Sequence, residues 1–291
     1  MLRALVVLAG LGLAVLAAGL WLTKPVTVSV ADLDGVAGAV ARGETVYWAS
    51  GCASCHVGPE SDDKLVLAGG LRLTSRFGTF VVPNISSDAD VGIGGWTVAE
   101  FASAAKLVTA PGGCHYYPAF PYASYAQMTN ADVVDLWAFM QTLPASPRAS
   151  ENHTLAFPFN TRLTLGPWKA LYGATGWVQP AETPELERGR YLVEALAHCG
   201  ECHTPRTALG GLDTSRWLAG APNPSGQGNI PGLTPDQFDW SATDIAYYLE
   251  TSFTPDFDSA GGSMASVVEN MARLSAQDRA AIAAYIKALG G

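Results

Sequence analysis

The chain has 291 residues, 48% of them apolar, and a formal net charge of −9. That is length for two domains of ordinary size plus a tail, with enough apolar side chains to bury cores. The acidic balance argues against a nucleic-acid binder, because neutralising phosphates takes a surplus of Lys and Arg; it suits partners that carry basic patches.

The N-terminus reads Met1-Leu2-Arg3, then uncharged residues from Ala4 to Leu22, then Thr23-Lys24-Pro25. About 20 apolar residues cross a bilayer core as a helix. A cleaved signal peptide begins in the same way, with a small-residue site near Ala17 or Ala18. Here the apolar run continues through Leu20-Trp21-Leu22, and a terminal Trp suits a membrane interface. Segment 1–24 is therefore expected to be an uncleaved anchor, a cleaved periplasmic form being the alternative. Either way the bulk of the chain is exported, and the expected location is the periplasmic side of a bacterial inner membrane. No later segment is long and apolar enough to span.

Residues 38–143 form a first unit. A helix over Val40 to Ser50 leads into Cys52-Ala-Ser-Cys55-His56. Trp96-Thr97 opens a second helix, with Thr97 and Glu100 as an N-cap pair. Thr129 opens a last one, where Val133, Leu136, Trp137 and Met140 recur at helical spacing. Residues 144–184 follow, with six prolines that argue against helix interiors. They also hold Phe157, Phe159, Trp168 and Trp177, too many aromatics for a disordered linker. This segment reads as a strap packed over both units, fixing their orientation.

The second unit, 185–291, repeats the first. A helix from Arg188 to Ala197 precedes Cys199-Gly-Glu-Cys202-His203. Trp240-Ser241 with Asp244 matches Trp96-Thr97 with Glu100, and Ser275 with Asp278 matches Thr129 with Asp132. The offsets run from 144 to 147, so a domain has been duplicated.

Two CxxCH patterns use four of the five cysteines, and only Cys114 stands apart. The pattern suits two thioether bonds to porphyrin vinyl groups, with the adjacent His presented to the iron. A redox CxxC or a zinc site is the competing reading. Zinc would want further Cys/His pairs, and thioredoxin-like motifs do not repeat. Two covalent haem c groups are expected, on Cys52 and Cys55 and on Cys199 and Cys202, with His56 and His203 as proximal iron ligands. Few helices and long loops around each motif give an all-α class in which the porphyrin supplies the core.

The words "FGTFVVPNIS", "GIGGWT", "HYYPAFPY", "RGRYLVEALAHCGECHTPR" and "GGSMASVV" resemble the cytochrome c subunits of membrane-bound bacterial dehydrogenases for alcohols, aldehydes and gluconate, within the wider class I cytochrome c superfamily. Many such subunits carry three haems, and this chain has two CxxCH units. The resemblance implies two tandem class I cytochrome c domains, each wrapped round its haem, after an N-terminal transmembrane helix. It implies redox partner proteins: a dehydrogenase or quinol donor, and a terminal oxidase or other cytochrome as acceptor.

In the second unit, Met264 after Gly261-Gly262-Ser263 lies where the superfamily places its distal ligand. Met/His ligation raises the potential and fills both axial sites, which points to electron transfer. The first unit departs from this. Met264 lies 24 residues after Trp240, and the residue 24 after Trp96 is Phe120, which cannot bind iron. Met128 is the first candidate for that iron, although it aligns with Leu274 and its plain reading is core. Cys114 and His115 are the alternatives, and both would lower the potential. An open site is the fourth outcome. No hydride, phosphate or nucleophile-triad motif is present, so an electron-transfer protein is expected more than an enzyme. A dihaem oxidoreductase acting on a small sulfur compound or peroxide at the first haem is the alternative.

Overall fold

The computed structural model describes residues 2–59, 61–173, 176–224 and 228–290. Met1, Gly291, and Ala174 and Thr175 of the strap lie outside the described residues.

Helix α1 (Leu2–Leu22) has no buried residue. At 1.5 Å per residue it spans about 31 Å, long enough for a bilayer core, and its composition is apolar enough to cross one. The first unit then runs through α2 (Val40–Ala49), α3 (Cys52–His56), strands β1 (Arg72–Ser75) and β2 (Gly78–Val81), α4 (Val98–Leu107), α5 (Tyr122–Tyr125) and α6 (Asn130–Met140). The strap contributes β3 (Thr154–Leu155) and α7 (Leu165–Tyr172). The second unit comprises α8 (Pro184–Arg190), α9 (Gly200–His203), β4 (Ala221–Pro222), β5 (Asn229–Ile230), α10 (Ala242–Thr251), α11 (Ser263–Met271) and α12 (Ala276–Lys287).

The helix starts follow from their caps. The Thr97 hydroxyl accepts from the Glu100 N–H, and the Glu100 carboxylate accepts from the Thr97 N–H. Ser241 and Asp244 repeat this reciprocal pair. Thr129 and Ser275 cap α6 and α12 with their hydroxyls. Each pair satisfies amide donors that a helix start leaves open.

Each unit is organised by one helix crossing. A methyl group at Gly43 would lie 2.0 Å from the Asp135 carbonyl oxygen, and one at Gly189 would lie 2.1 Å from that of Ala281. Only glycine lets α2 close on α6, and α8 on α12. An ion pair flanks each crossing. Arg42 Nε donates to Asp135 at 2.6 Å, and Arg188 Nε to Asp278 at 2.7 Å. The Asp135 carboxylate is buried and also accepts the Ala39 amide at 2.6 Å, so its charge is compensated.

The helix that leads into the CxxCH is one residue longer in the second unit. Gly43 to Gly189 is an offset of 146, and Cys52 to Cys199 is 147. The extra residue is absorbed as a π-helical turn over Tyr191–Leu196, with the Ala197 N–H bonded to the Leu192 carbonyl at 2.7 Å. Such bulges insert a residue into a helix without moving either end out of register.

The all-α expectation needs an addition. β1 and β2 pair antiparallel, Arg72 with Val81 through Ser75 with Gly78, and β3 adds to β2. β4 and β5 form a second small pair. The loop around each CxxCH must pair its own amides, and a hairpin does so locally. The strap is also partly helical, because Pro167 falls in the first turn of α7, where no amide is needed. Its β3 extends the sheet of the first unit. Its Val178 and Gln179 amides donate to Glu194 of the second, at 2.6 and 3.0 Å.

Candidate functional site

Both CxxCH motifs sit on a short helix after a left-handed residue. Gly51 takes φ +63° before Cys52, and His198 takes φ +43° before Cys199. The reversal starts a new turn, which sets the two cysteines three apart on one face and the histidine next to them. No disulfide joins any of the five cysteines. Cys52 and Cys199 are half-buried, whereas Cys55 and Cys202 reach solvent from within a crevice. Burial pushes the Cys52 and Cys199 thiols up to about 12. The Cys55 thiol is also raised, by burial first and then by Cys202 of the other unit.

The proximal histidines are held alike. A carbonyl can only accept, so His56 Nδ1–H donates to Pro83 O at 2.9 Å and His203 Nδ1–H to Pro231 O at 2.8 Å. That leaves each Nε2 lone pair for a metal, and it is the outer support that metal-binding histidines use. Burial lowers both rings, His56 to about 4, which keeps the lone pair unprotonated at neutral pH. The His56 and His203 carbonyls each accept from a glycine amide at 2.7 Å, Gly69 and Gly220, both at positive φ. A side chain on Gly69 would strike the Pro83 carbonyl at 2.4 Å. Sequence reasoning missed Pro83 and Pro231. The signal was present as "PNIS" against "PGLT", two loops that read as dissimilar until the histidines are placed.

This donor set fits haem c twice: two unpaired thiols on one face and a neutral imidazole with a free nitrogen. Beside α9, the Trp217 ring packs on Gly200, and its buried indole N–H faces the Tyr285 hydroxyl. Arg206 is committed to the Glu201 carboxylate and to the Glu201 and Gly210 carbonyls.

The seam between the units carries polar and aromatic contacts. Tyr125 OH donates to Ser50 O at 2.6 Å, and its ring stands edge-on to His198 at 5.6 Å. Asn270 Nδ2 donates to Ser54 Oγ at 2.8 Å. Tyr191 OH donates to Asp132 and accepts the Thr129 amide at 3.1 Å. Lys64 pairs with Glu269, and Arg273 lies over Trp48 at 5.0 Å.

The distal candidates fall in distinct places. Met264 is half-buried in the first turn of α11, at the edge of the core. Met128 is 2% exposed, and its amide bonds to Tyr125 O as the Leu274 amide bonds to Met271 O, so both hold the same position before the last helix. Phe120 lines a small cavity with Tyr122, Trp168, Tyr172 and Glu201, between the first unit, the strap and α9. Cys114 is exposed on a tight hairpin closed by the Thr109–His115 bridge. His115 has both ring nitrogens engaged. Nε2–H donates to Thr23 O at 2.9 Å, and Nδ1 accepts from Lys169 Nζ at 3.0 Å.

Comparison with known proteins gives a family match and three relatives. The family model for cytochrome c matches residues 40–144 and again 186–290. A "Diheme cytochrome c-type" protein of Cereibacter sphaeroides is 59% identical over 284 residues, 96% of each chain. The fructose dehydrogenase cytochrome subunit of Gluconobacter japonicus is 34% identical over 86% of this chain and 52% of its own length. The gluconate 2-dehydrogenase cytochrome c subunit of Pantoea cypripedii is 35% identical over 86% of this chain and 59% of its own. The chain thus spans little more than half the length of these last two relatives. None of the three names favours a sulfur or peroxide enzyme.

Proposed function

The chain belongs to the cytochrome c family, with two tandem cytochrome c domains and two covalent haem c groups, and on that premise we propose that it is a periplasmic electron carrier, anchored in the inner membrane by α1, which takes electrons from a dehydrogenase or quinol and passes them to a terminal oxidase or another cytochrome. The observation that carries this reading is the meeting of the two attachment turns at Tyr125, whose hydroxyl donates to Ser50 beside the first and whose ring stands edge-on to His198 beside the second. When bound, haem c supplies reversible one-electron chemistry.

The protein's part is attachment, ligation and rigidity. Cys52 and Cys55, and Cys199 and Cys202, hold the two groups. His56 and His203 bind iron, oriented by Pro83 and Pro231. Met264 is the distal ligand in the second domain. In the first domain Met128 takes that role, since its thioether is buried while the Cys114 thiol is exposed and both His115 nitrogens are engaged. The seam contacts and the strap keep the two domains from separating, as fast transfer between two centres requires.

Absorption spectra test the ligands. Met128→Ala should remove one haem's share of the far-red Met–iron band, and Cys114→Ala should leave it whole. The ligand assignment fails if the reverse is seen. Membranes holding the full chain should show both haems reduced on adding a dehydrogenase substrate and reoxidised by oxygen. Turnover of thiosulfate or peroxide by the purified chain alone would sink the carrier reading.

A further inference from the structure

The exit of α1 is fixed to the folded body. Thr23 follows α1 directly, and its carbonyl accepts from His115 of the first domain. Thr23 also lies against α7, so close that a methyl group at Gly166 would meet its carbonyl oxygen at 2.4 Å. Lys169 of α7 ties the same point from the other side, donating to Leu107 O at 2.5 Å and to His115. Arg162 donates to the His115 carbonyl and covers the Tyr117 ring at 4.5 Å. One end of the body, built from the strap, is therefore held at the point where α1 ends.

That end is unusual in its surface. Phe157 is 81% exposed, Leu163 57% and Leu171 69%, and Phe159 is exposed as well. They extend the exposed Trp21 and Leu22 of the α1 terminus. Neighbouring loops share the character. Phe159 packs edge-on against Phe77 at 4.8 Å, and Trp168 Nε1 donates to the carbonyl of exposed Leu209 at 2.8 Å. Charge follows the same division. The chain carries 26 acidic residues, yet none falls between Asn152 and Ala181, where His153, Arg162 and Lys169 are the ionisable bases. Arg76 lies over Phe77 at 4.9 Å and Lys24 over Trp21 at 5.9 Å. Bulky exposed apolar tips beside Arg76, Lys24 and Arg162, on a segment that itself carries no acidic residue, are the composition of a surface that dips into lipid headgroups.

We propose that this end is a second membrane contact: the turn at Phe157–Phe159, Leu163 just before α7, and the outer face of α7 with Leu171 sit in the headgroup layer of the phospholipid bilayer that α1 crosses. The proposal rests on the reading of α1 as a membrane anchor. A single anchor with a flexible exit lets the domains tumble. A seated strap gives the two attachment turns one fixed attitude toward the membrane, so that a donor or acceptor embedded there meets the same face each time.

Site-directed photo-crosslinking tests it on the full haem-loaded chain in native membranes. Four variants each place p-benzoylphenylalanine at one position: Phe157, Leu171, Leu13 within α1, and Phe257. The last is 95% exposed between Asp256 and Asp258. After irradiation, mass spectrometry should find phospholipid adducts at positions 157, 171 and 13, and none at 257. Adducts at 13 without adducts at 157 and 171 would overturn the proposal while leaving the anchor in place. No adduct at 13 would remove the anchor reading and the proposal with it. Polypeptide adducts in place of lipid at 157 and 171 would show a protein partner on this end, and would equally overturn it.

Discussion

His115 shows how one side chain's chemistry follows from its neighbours. A carbonyl on one nitrogen and an ammonium on the other define a neutral ring protonated at Nε2. Burial, and then the Lys169 charge, lower its pKa below the ordinary 6.5. The unfolded chain therefore binds the proton more tightly than the fold does. The stability this group supplies is present above about pH 6.5, the unfolded value, and is lost as pH falls from there through the lower folded value. We expect His115→Gln to weaken that decline, read as a flatter dependence of melting temperature on pH between 5 and 7. Phe120 is the contrasting case. Its sequence position marked a missing ligand, and it lines a small seam cavity beside Tyr122 and Trp168. The residue types there were legible; what each touches was not, because the loop from Gly112 to Met128 has no periodicity to fix its course.

At the scale of elements, the helix starts, the two CxxCH turns and the duplication could all be read from spacing, since caps and attachment motifs are local. The glycine crossings could not, because they depend on which helix faces Gly43 and Gly189. Gly43→Ala should cost about 3 kcal/mol through overpacking against α6, measured by denaturant unfolding of the haem-loaded chain. The π-helical turn is a second such feature. It buries Glu194, which accepts from Tyr285 and from two strap amides. Glu194→Ala leaves those donors unpaired and should cost about 2 kcal/mol. Faster proteolysis within residues 174–182, with both haems still attached, would locate that cost in the strap. Cleavage unchanged there would show that Glu194 does not hold the strap.

For the whole molecule, the decisive feature is that the domains share a seam of directed contacts. Tyr191 spans it, from the second domain to Asp132 and Thr129 of the first. Tyr191→Phe should lower stability by about 1 kcal/mol, the net worth of such a bond. It should also slow electron exchange between the haems, measured by flash photoreduction, if the seam sets their spacing. An unchanged exchange rate would assign the spacing to the strap and the remaining contacts alone.

The sequence by itself determined the chemistry and the number of centres: two CxxCH turns, two capped helix sets and one apolar N-terminal helix. Each is a local pattern, in which spacing along the chain dictates what a few neighbouring residues can do. Only the tertiary structure decided how these parts face one another. Pro83 and Pro231 orient the histidines from 27 and 28 residues away. Tyr125 meets His198 across the seam, and His115 holds the exit of α1 from 92 residues away. Contacts at that separation depend on how helices pack and loops close, which no periodicity along the chain records.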